Sequence, residues 1–399
     1  MKGPSPRGLW KYATGRLRLA AYFRAPGEGR LSPQIPAPAL LWSLLMGCVL
    51  RQSAFRAIEA LVGSSARRPL RVSRAFSDDA LRYFTERLSP TPTRAALAGV
   101  VRLAKRNKAF EGCRFVGLAL DGTSAGRRRK AKPSCGLCRP YRNALREIIG
   151  YRHHLVLAAV VGGGLTLPVD VEPYGPGDSE YAAGQRLLRR LRARLGARFI
   201  DYVVVDGEFA TAPFLHTAGE VGWPVVARLK DNLPELFRTA QRRFRSQRPH
   251  LSFRDGADRV ELWDGDDFDP WEALRWATVR VMRYRQYKPN GEIVEAYWLS
   301  NLPSGRISRR TLYALAKSRW QIENQGFNDA KNRYGLEHLC DHHPQSLLNV
   351  WLLTCLALTI ERLYRLRYLH RGTHPLLEAI ALWRLLWLSL SVPLPHDTS

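Results

Sequence analysis

The sequence predicts an α/β protein: a mixed sheet flanked by helices, with a helical N-terminal domain ahead of it and a β-rich insertion within it. Three observations carry this reading. Two apolar, β-favouring runs, Phe115–Leu120 and Tyr202–Val205, each end in Asp-Gly, the pattern of strands buried on both faces. Residues 251–303 alternate polar and apolar side chains between turn dipeptides, as antiparallel strands do. Residues 39–108, and again Leu312–Ala330, carry apolar residues at helical spacing.

In chain order, residues 1–38 are basic and then rich in proline and glycine, and are expected to form a basic flexible arm. Residues 39–113 form the helical domain. There Ser77 precedes Asp78-Asp79, a capping residue followed by acids that suit the first turn. The core begins over 114–250. Arg114–Leu120 reads as a strand, and Tyr151–Val161 with Leu165–Val171 as a hairpin around Gly162-Gly163-Gly164. Glu180–Leu195 is a basic amphipathic helix, Tyr202–Val205 a strand, Ala212–Gly222 a helix and Trp223–Leu229 a strand. The insertion, 251–303, holds strands at Leu251–Arg254, Arg259–Trp263, Trp276–Tyr284 and Ile293–Leu299, turning at Asp255-Gly256 and Pro289-Asn290-Gly291. The core resumes over 304–345 with a helix through Ser318–Lys331, and 346–399 is a helical tail.

Composition narrows the partners. A chain of 399 residues, 45% hydrophobic, buries a large core and divides into two or three domains. Lys and Arg number 62 against 35 Asp and Glu, a net charge of +27 that attracts a polyanion, nucleic acid before an anionic membrane. The membrane reading fails for want of a lipid-facing amphipathic helix distinct from the core helices. The apolar runs Ala39–Leu50 and Leu347–Ile360 fall short of the ~20 residues that span a bilayer and read as buried helices. Six scattered cysteines suit a reducing cytoplasm. No signal peptide is read, because Arg18 interrupts Leu17–Phe23.

Three acids are the candidate catalytic residues. Asp121 and Asp206 follow the two buried strands, where sites form in α/β folds. Taken singly, either Asp-Gly is an ordinary turn. Glu323 sits four residues after Arg319 on one helix face, which alone reads as a surface ion pair. Leu120-Asp121-Gly122-Thr123, Val205-Asp206-Gly207-Glu208-Phe209 and Arg319-Trp320-Gln321-Ile322-Glu323, continuing to Tyr334-Gly335-Leu336-Glu337-His338, together resemble the DDE transposases of the IS4-like group, over roughly Phe115 to His343. Of that group's signature Y-x2-R-x3-E-x6-K, Arg319 and Glu323 fit. The tyrosine position is Ala316, with Tyr313 one turn earlier, and Lys331 comes one residue late.

The resemblance implies an RNase H-like sheet and a DNA transposase that cuts element ends and transfers the 3′-hydroxyl to target DNA. It implies two Mg²⁺ (or Mn²⁺) ions, with Asp121 bridging them and Asp206 and Glu323 on either side; Glu208 is an alternative ligand. Arg319, and more weakly Lys331 and Lys230, would contact phosphate. Residues 39–113 match the group's DNA-binding and dimerising domain in position. The implied partners are the element's terminal inverted repeats and target DNA, met by a homodimer in a bacterial, nucleoid-associated, cytoplasmic setting. One of Trp263, Trp271, Trp276 and Trp298 would stack on a flipped base. A metal-dependent nuclease without strand transfer, and an inactive DNA-binding copy, are the alternatives.

One motif stands apart. Cys135-Gly136-Leu137-Cys138 lies in a basic loop, with His153-His154 downstream. The pair with a histidine fits a structural Zn²⁺. A strand through 151–157 points the two histidines to opposite faces, so only one joins the pair; His153 is the candidate. Two free thiols in a loop are the alternative.

Overall fold

The computed structural model describes residues 6–68, 72–131, 135–369 and 378–391. Its strands, in chain order, are β1 (Gly117–Arg128), β2 (Arg139–Arg142), β3 (Ile148–Gly162), β4 (Leu165–Tyr174), β5 (Tyr202–Val205), β6 (Val225–Leu229), β7 (Leu251–Asp255), β8 (Asp258–Phe268), β9 (Val279–Tyr287) and β10 (Ile293–Ser300). They form one sheet in the order β2-β3-β1-β5-β6-β10-β9-β8-β7, with β4 also beside β3. β1, β3 and β4 pair antiparallel, while β5 and β6 run parallel to β1. This is the mixed α/β arrangement expected of an RNase H-like core. The four residues of β5 are all buried, and so are Leu118, Ala119 and Leu120 of β1, which is why both strands read as unbroken apolar runs.

The helices are α1 (Pro6–Lys11), α2 (Leu19–Phe23), α3 (Ala37–Val49), α4 (Phe55–Gly63), α5 (Asp78–Arg87), α6 (Thr91–Arg106), α7 (Glu180–Leu195), α8 (Ala212–Glu220), α9 (Pro234–Arg245), α10 (Arg309–Lys317), α11 (Arg319–Gln321), α12 (Asn328–Asn332), α13 (Pro344–Leu369) and α14 (Ala379–Ser391). Helices α6, α7 and α13 all pack on β4. α13 is long and apolar enough to cross a membrane, yet it lies inside the molecule. Its Asn349 amide donates to the carbonyls of Thr85 and Leu88, the internal satisfaction a core helix requires. The final residues of the expected tail, 392–399, lie outside the described residues.

The structure departs from expectation in three places. Residues 1–38, expected as a loose basic arm, are from Pro6 onward folded against the body: Leu9, Leu19 and Phe23 are buried. The apolar residues between the basic ones supply a packing face that composition alone obscured. The strand of the first aspartate does not stop at Leu120. It continues to Arg128, because β3 offers a longer antiparallel partner than β5 does a parallel one. The residues of the β-rich insertion, 251–303, extend the core sheet rather than standing beside it, since β10 pairs with the edge that β6 would leave open. β2 and α9 were not anticipated, although α9 carries Pro234 in its first turn and buries Leu236, Ala240 and Phe244 at four-residue spacing.

Candidate active site

The first two acids are brought together by strand register. β1 and β5 pair in parallel through Leu120 opposite Val205. Asp121 and Asp206 are the next residues on each strand, so they leave the ladder side by side. Beyond this point β1 stays paired only to β3, with Asp121 opposite Leu157. Asp121 is thus held by a continuing strand, while Asp206 sits at the true end of β5.

The third acid comes from an irregular helix. Ser308 caps α10 by accepting from the Thr311 amide at 3.2 Å. The chain then runs through α11 into a π-helical turn over Ile322–Phe327 that contains Glu323, a distortion that recurs at functional sites. A side chain at position 326 would come into van der Waals contact with Leu157, the strand partner of Asp121, so the bare glycine lets this segment lie close to β3. Arg362 of α13 fastens the same segment: it donates to the Gln325 carbonyl, to Asp329 at 2.7 Å and to the Thr166 carbonyl of β4.

Arg319 joins the acids. Its guanidinium donates to Asp121 Oδ2 at 3.1 Å and to Glu323 Oε1 at 2.7 Å. The expected pair with Glu323 is present, and the same fork reaches across to the strand. The side chain is largely buried, and Asp121, Glu323 and Asp206 hold it charged against the cost of burial. Lys230 donates to Asp206 Oδ2 at 2.8 Å. Lys331 turns elsewhere and pairs with Glu337 at 3.1 Å. Tyr313 is buried with its hydroxyl on Asp255 at 2.7 Å, where it ties α10 to β7.

A fourth acid belongs to this cluster and was not anticipated. Glu180 is the first residue of α7, capped by Ser179, and reads in sequence as an ordinary first-turn acid. In the fold its carboxylate lies over Gly122, where any Cβ would collide with it, and it accepts from Tyr174 Oη at 3.0 Å. Only the tertiary approach of α7 to β1 reveals it. Burial pushes the Asp121 carboxyl up to about 7; Arg319 opposes this, while Glu323, Glu180 and Asp206 add to it. Burial also raises Glu180. Asp206 moves the other way: burial alone would raise it, but the Lys230 hydrogen bond, the Gly207 amide and Arg319 bring it below the usual range.

Glu323, Glu180 and Asp206 crowd negative charge around the partly buried Asp121, enough to hold a proton near neutrality despite Arg319. Carboxylates are the hard oxygen donors that Mg²⁺ or Mn²⁺ takes, but among the described residues these acids do not draw their oxygens together as a ready ligand set. Of the insertion tryptophans, Trp263 and Trp298 are buried core residues, while Trp271 and Trp276 are half-buried. Cys135, Cys138 and His153 also meet, with both sulfurs within 3.4 Å of His153 Nε2. They lie further along β1 from the acids, since His153 pairs with Ala125.

Over residues 114–360, which hold all of the acids and Arg319, the chain matches the family model of the transposase DDE domain. No protein of curated function matches it. Among solved structures it is similar to the piggyBac transposase synaptic complex with hairpin DNA, seen by cryo-electron microscopy. That likeness is at 13% identity and a TM-score of 0.47, covering 98% of this chain and 80% of that one.

Proposed function

The chain belongs to the transposase DDE domain family, and from that premise we propose that it cuts DNA at the ends of a mobile element and joins the freed 3′-hydroxyl to target DNA. One observation supports this above the others: Arg319 links the carboxylates of Asp121 and Glu323 while strand register sets Asp206 beside Asp121. Asp121, Asp206 and Glu323 are the residues that would hold two Mg²⁺ or Mn²⁺ ions. Bound there, such ions would supply activation of the attacking water or 3′-hydroxyl and stabilisation of the leaving oxygen in an in-line displacement.

The chain's own groups do the remaining work. Arg319 fixes the Asp121 and Glu323 oxygens before DNA arrives, which lowers the cost of organising the site. Its planar fork also suits a phosphate oxygen once the acids take a cation. Lys230 steadies Asp206 and, half-exposed, is free to move onto the backbone of bound DNA. Lys331, paired with Glu337, is a more distant phosphate contact. Residues 39–113 contribute DNA contact and the dimer interface that two element ends require, and the ends themselves are terminal inverted repeats.

The test is a cleavage and joining assay on labelled duplexes taken from the DNA flanking the gene, with and without Mg²⁺, comparing the wild type with Glu323→Ala. Metal-dependent nicks at fixed positions with joined products, lost in the variant, are expected. Random nicking without joining would make the protein a nuclease. Binding without cutting would make it an inactive copy.

A further inference from the structure

We propose that Cys135, Cys138, His153 and His342 bind one structural Zn²⁺. The sequence suggested only the first three of these residues, and His342 arrives from the loop beyond α12. The four ligand atoms lie within 4.8 Å of one another. All four residues are buried, none more than 8% exposed. A tetrahedron with ordinary zinc–sulfur and zinc–nitrogen bonds has S···N edges of about 3.5 Å. The observed Cys135 Sγ to His153 Nε2 distance is 3.1 Å and that from Cys138 is 3.4 Å. The Cys138 amide donates to the Cys135 carbonyl at 3.3 Å, which closes the tight turn a Cys-x2-Cys ligand pair needs.

The donor set selects the metal. Two thiols and two imidazoles with no carboxylate suit Zn²⁺ and not Mg²⁺. Burial and a full set of four protein ligands mark a structural ion, with no open position for substrate. Binding deprotonates both thiols, so each Zn²⁺ taken up releases two protons to solvent.

The ion would tie three segments together: the loop between β1 and β2, the middle of β3, and the chain that follows the glutamate element. β3 is the partner of the strand that carries Asp121. The Leu339 side chain already rests against Gly126 of β1, so the clip reinforces an existing contact. It also anchors the base of the β2–β3 hairpin, whose far end exposes Leu145 and Ile148 next to Arg142 and Arg146.

The site is separate from the acids, and its test separates the two proposals. The full chain, purified under reducing conditions, is assayed for bound zinc, then stripped with chelator and titrated with Co²⁺. One zinc per chain is expected, and the Co²⁺ form should show the visible bands of a tetrahedral two-thiolate centre. The Cys135→Ser/Cys138→Ser variant should lose both signals, His342→Ala should weaken them, and Glu323→Gln should leave them intact. Should the double variant fail to fold, the Co²⁺ spectrum of the wild type decides alone. A wild-type chain that takes up neither ion, or a folded double variant that keeps its zinc, overturns the proposal. A disulfide between Cys135 and Cys138 in the reduced, zinc-supplemented protein does so as well.

Discussion

Asp121 is the acid of the cluster most altered by its surroundings, and its titration gives a test of the crowded acids. Its carboxyl, raised to about 7 against an ordinary 3.8, keeps a proton in the folded chain that the unfolded chain has lost. Stability from this group is therefore greatest at low pH, declines as pH rises from about 4 to about 7, and levels off above that. On the proposed role, a cation held by Asp121 would displace the same proton, so its affinity would rise through the same window. We expect wild type to lose thermal stability relative to Asp121→Asn between about pH 4 and about pH 7, and Mg²⁺ to restore more of it at the upper end. Parallel curves for the two proteins would mean that the carboxyl titrates normally. Arg319 offers a second test. Lysine keeps the charge but cannot span two carboxylates, so Arg319→Lys should slow metal-dependent cleavage by about 10-fold or more while leaving DNA affinity within about 2-fold. Equal losses in both would recast Arg319 as a DNA contact only. The meeting of Asp121, Glu323 and Arg319, with Asp206 next along the paired strand, was legible only from three local patterns taken together with the family resemblance, since each alone reads as a turn or a surface ion pair. Glu180 and His342 were not, because nothing near them in sequence records which strand or loop they meet.

At the scale of elements, the order of strands and helices through the core followed from apolar runs and turn residues, and α7 and β5 fell where the periodicity placed them. What the pattern could not supply was pairing. An alternating strand fits a separate sheet or the edge of an existing one equally well, and only the open side of β6 decides. The consequence is mechanical. β9 brings Arg280 beneath the loop that launches α10, where it is buried in a two-pronged pair with Asp264 at 2.8 and 2.7 Å. The same guanidinium donates to the carbonyls of Leu302 and Ile307. The insertion strands therefore set where the glutamate-bearing segment begins. Arg280→Ala strands a buried carboxylate and two carbonyls, and should cost about 3–5 kcal/mol of stability in chemical denaturation. It should also lower cleavage more than DNA binding, because Glu323 lies downstream of that anchor. A loss below about 1 kcal/mol would show that the loop holds its course without the arginine.

The whole molecule combines a net charge of +27 with a cluster of four interacting acids. The cationic excess thus falls on the rest of the surface. α9 is one place where it concentrates: Arg238, Arg242 and Arg245 are exposed along a helix that starts just after Lys230, the partner of Asp206. Asn232, between them, donates to the Gly207 carbonyl at 2.8 Å, so the helix is fixed to the turn that follows the second aspartate. A duplex approaching the acids would pass along this helix, its phosphates releasing counterions as the arginines replace them. Binding to a short duplex of arbitrary sequence should then weaken by about 10³-fold or more between about 50 and about 200 mM salt. Arg238→Glu/Arg242→Glu should flatten the dependence of log affinity on log salt by about two contacts' worth, near 2 in slope. Asp121→Asn should leave the slope unchanged, since it removes an acid and no phosphate contact. A slope that the α9 variant does not alter would place the DNA on another face, and the path to the acids would have to be sought across the β2–β3 hairpin instead.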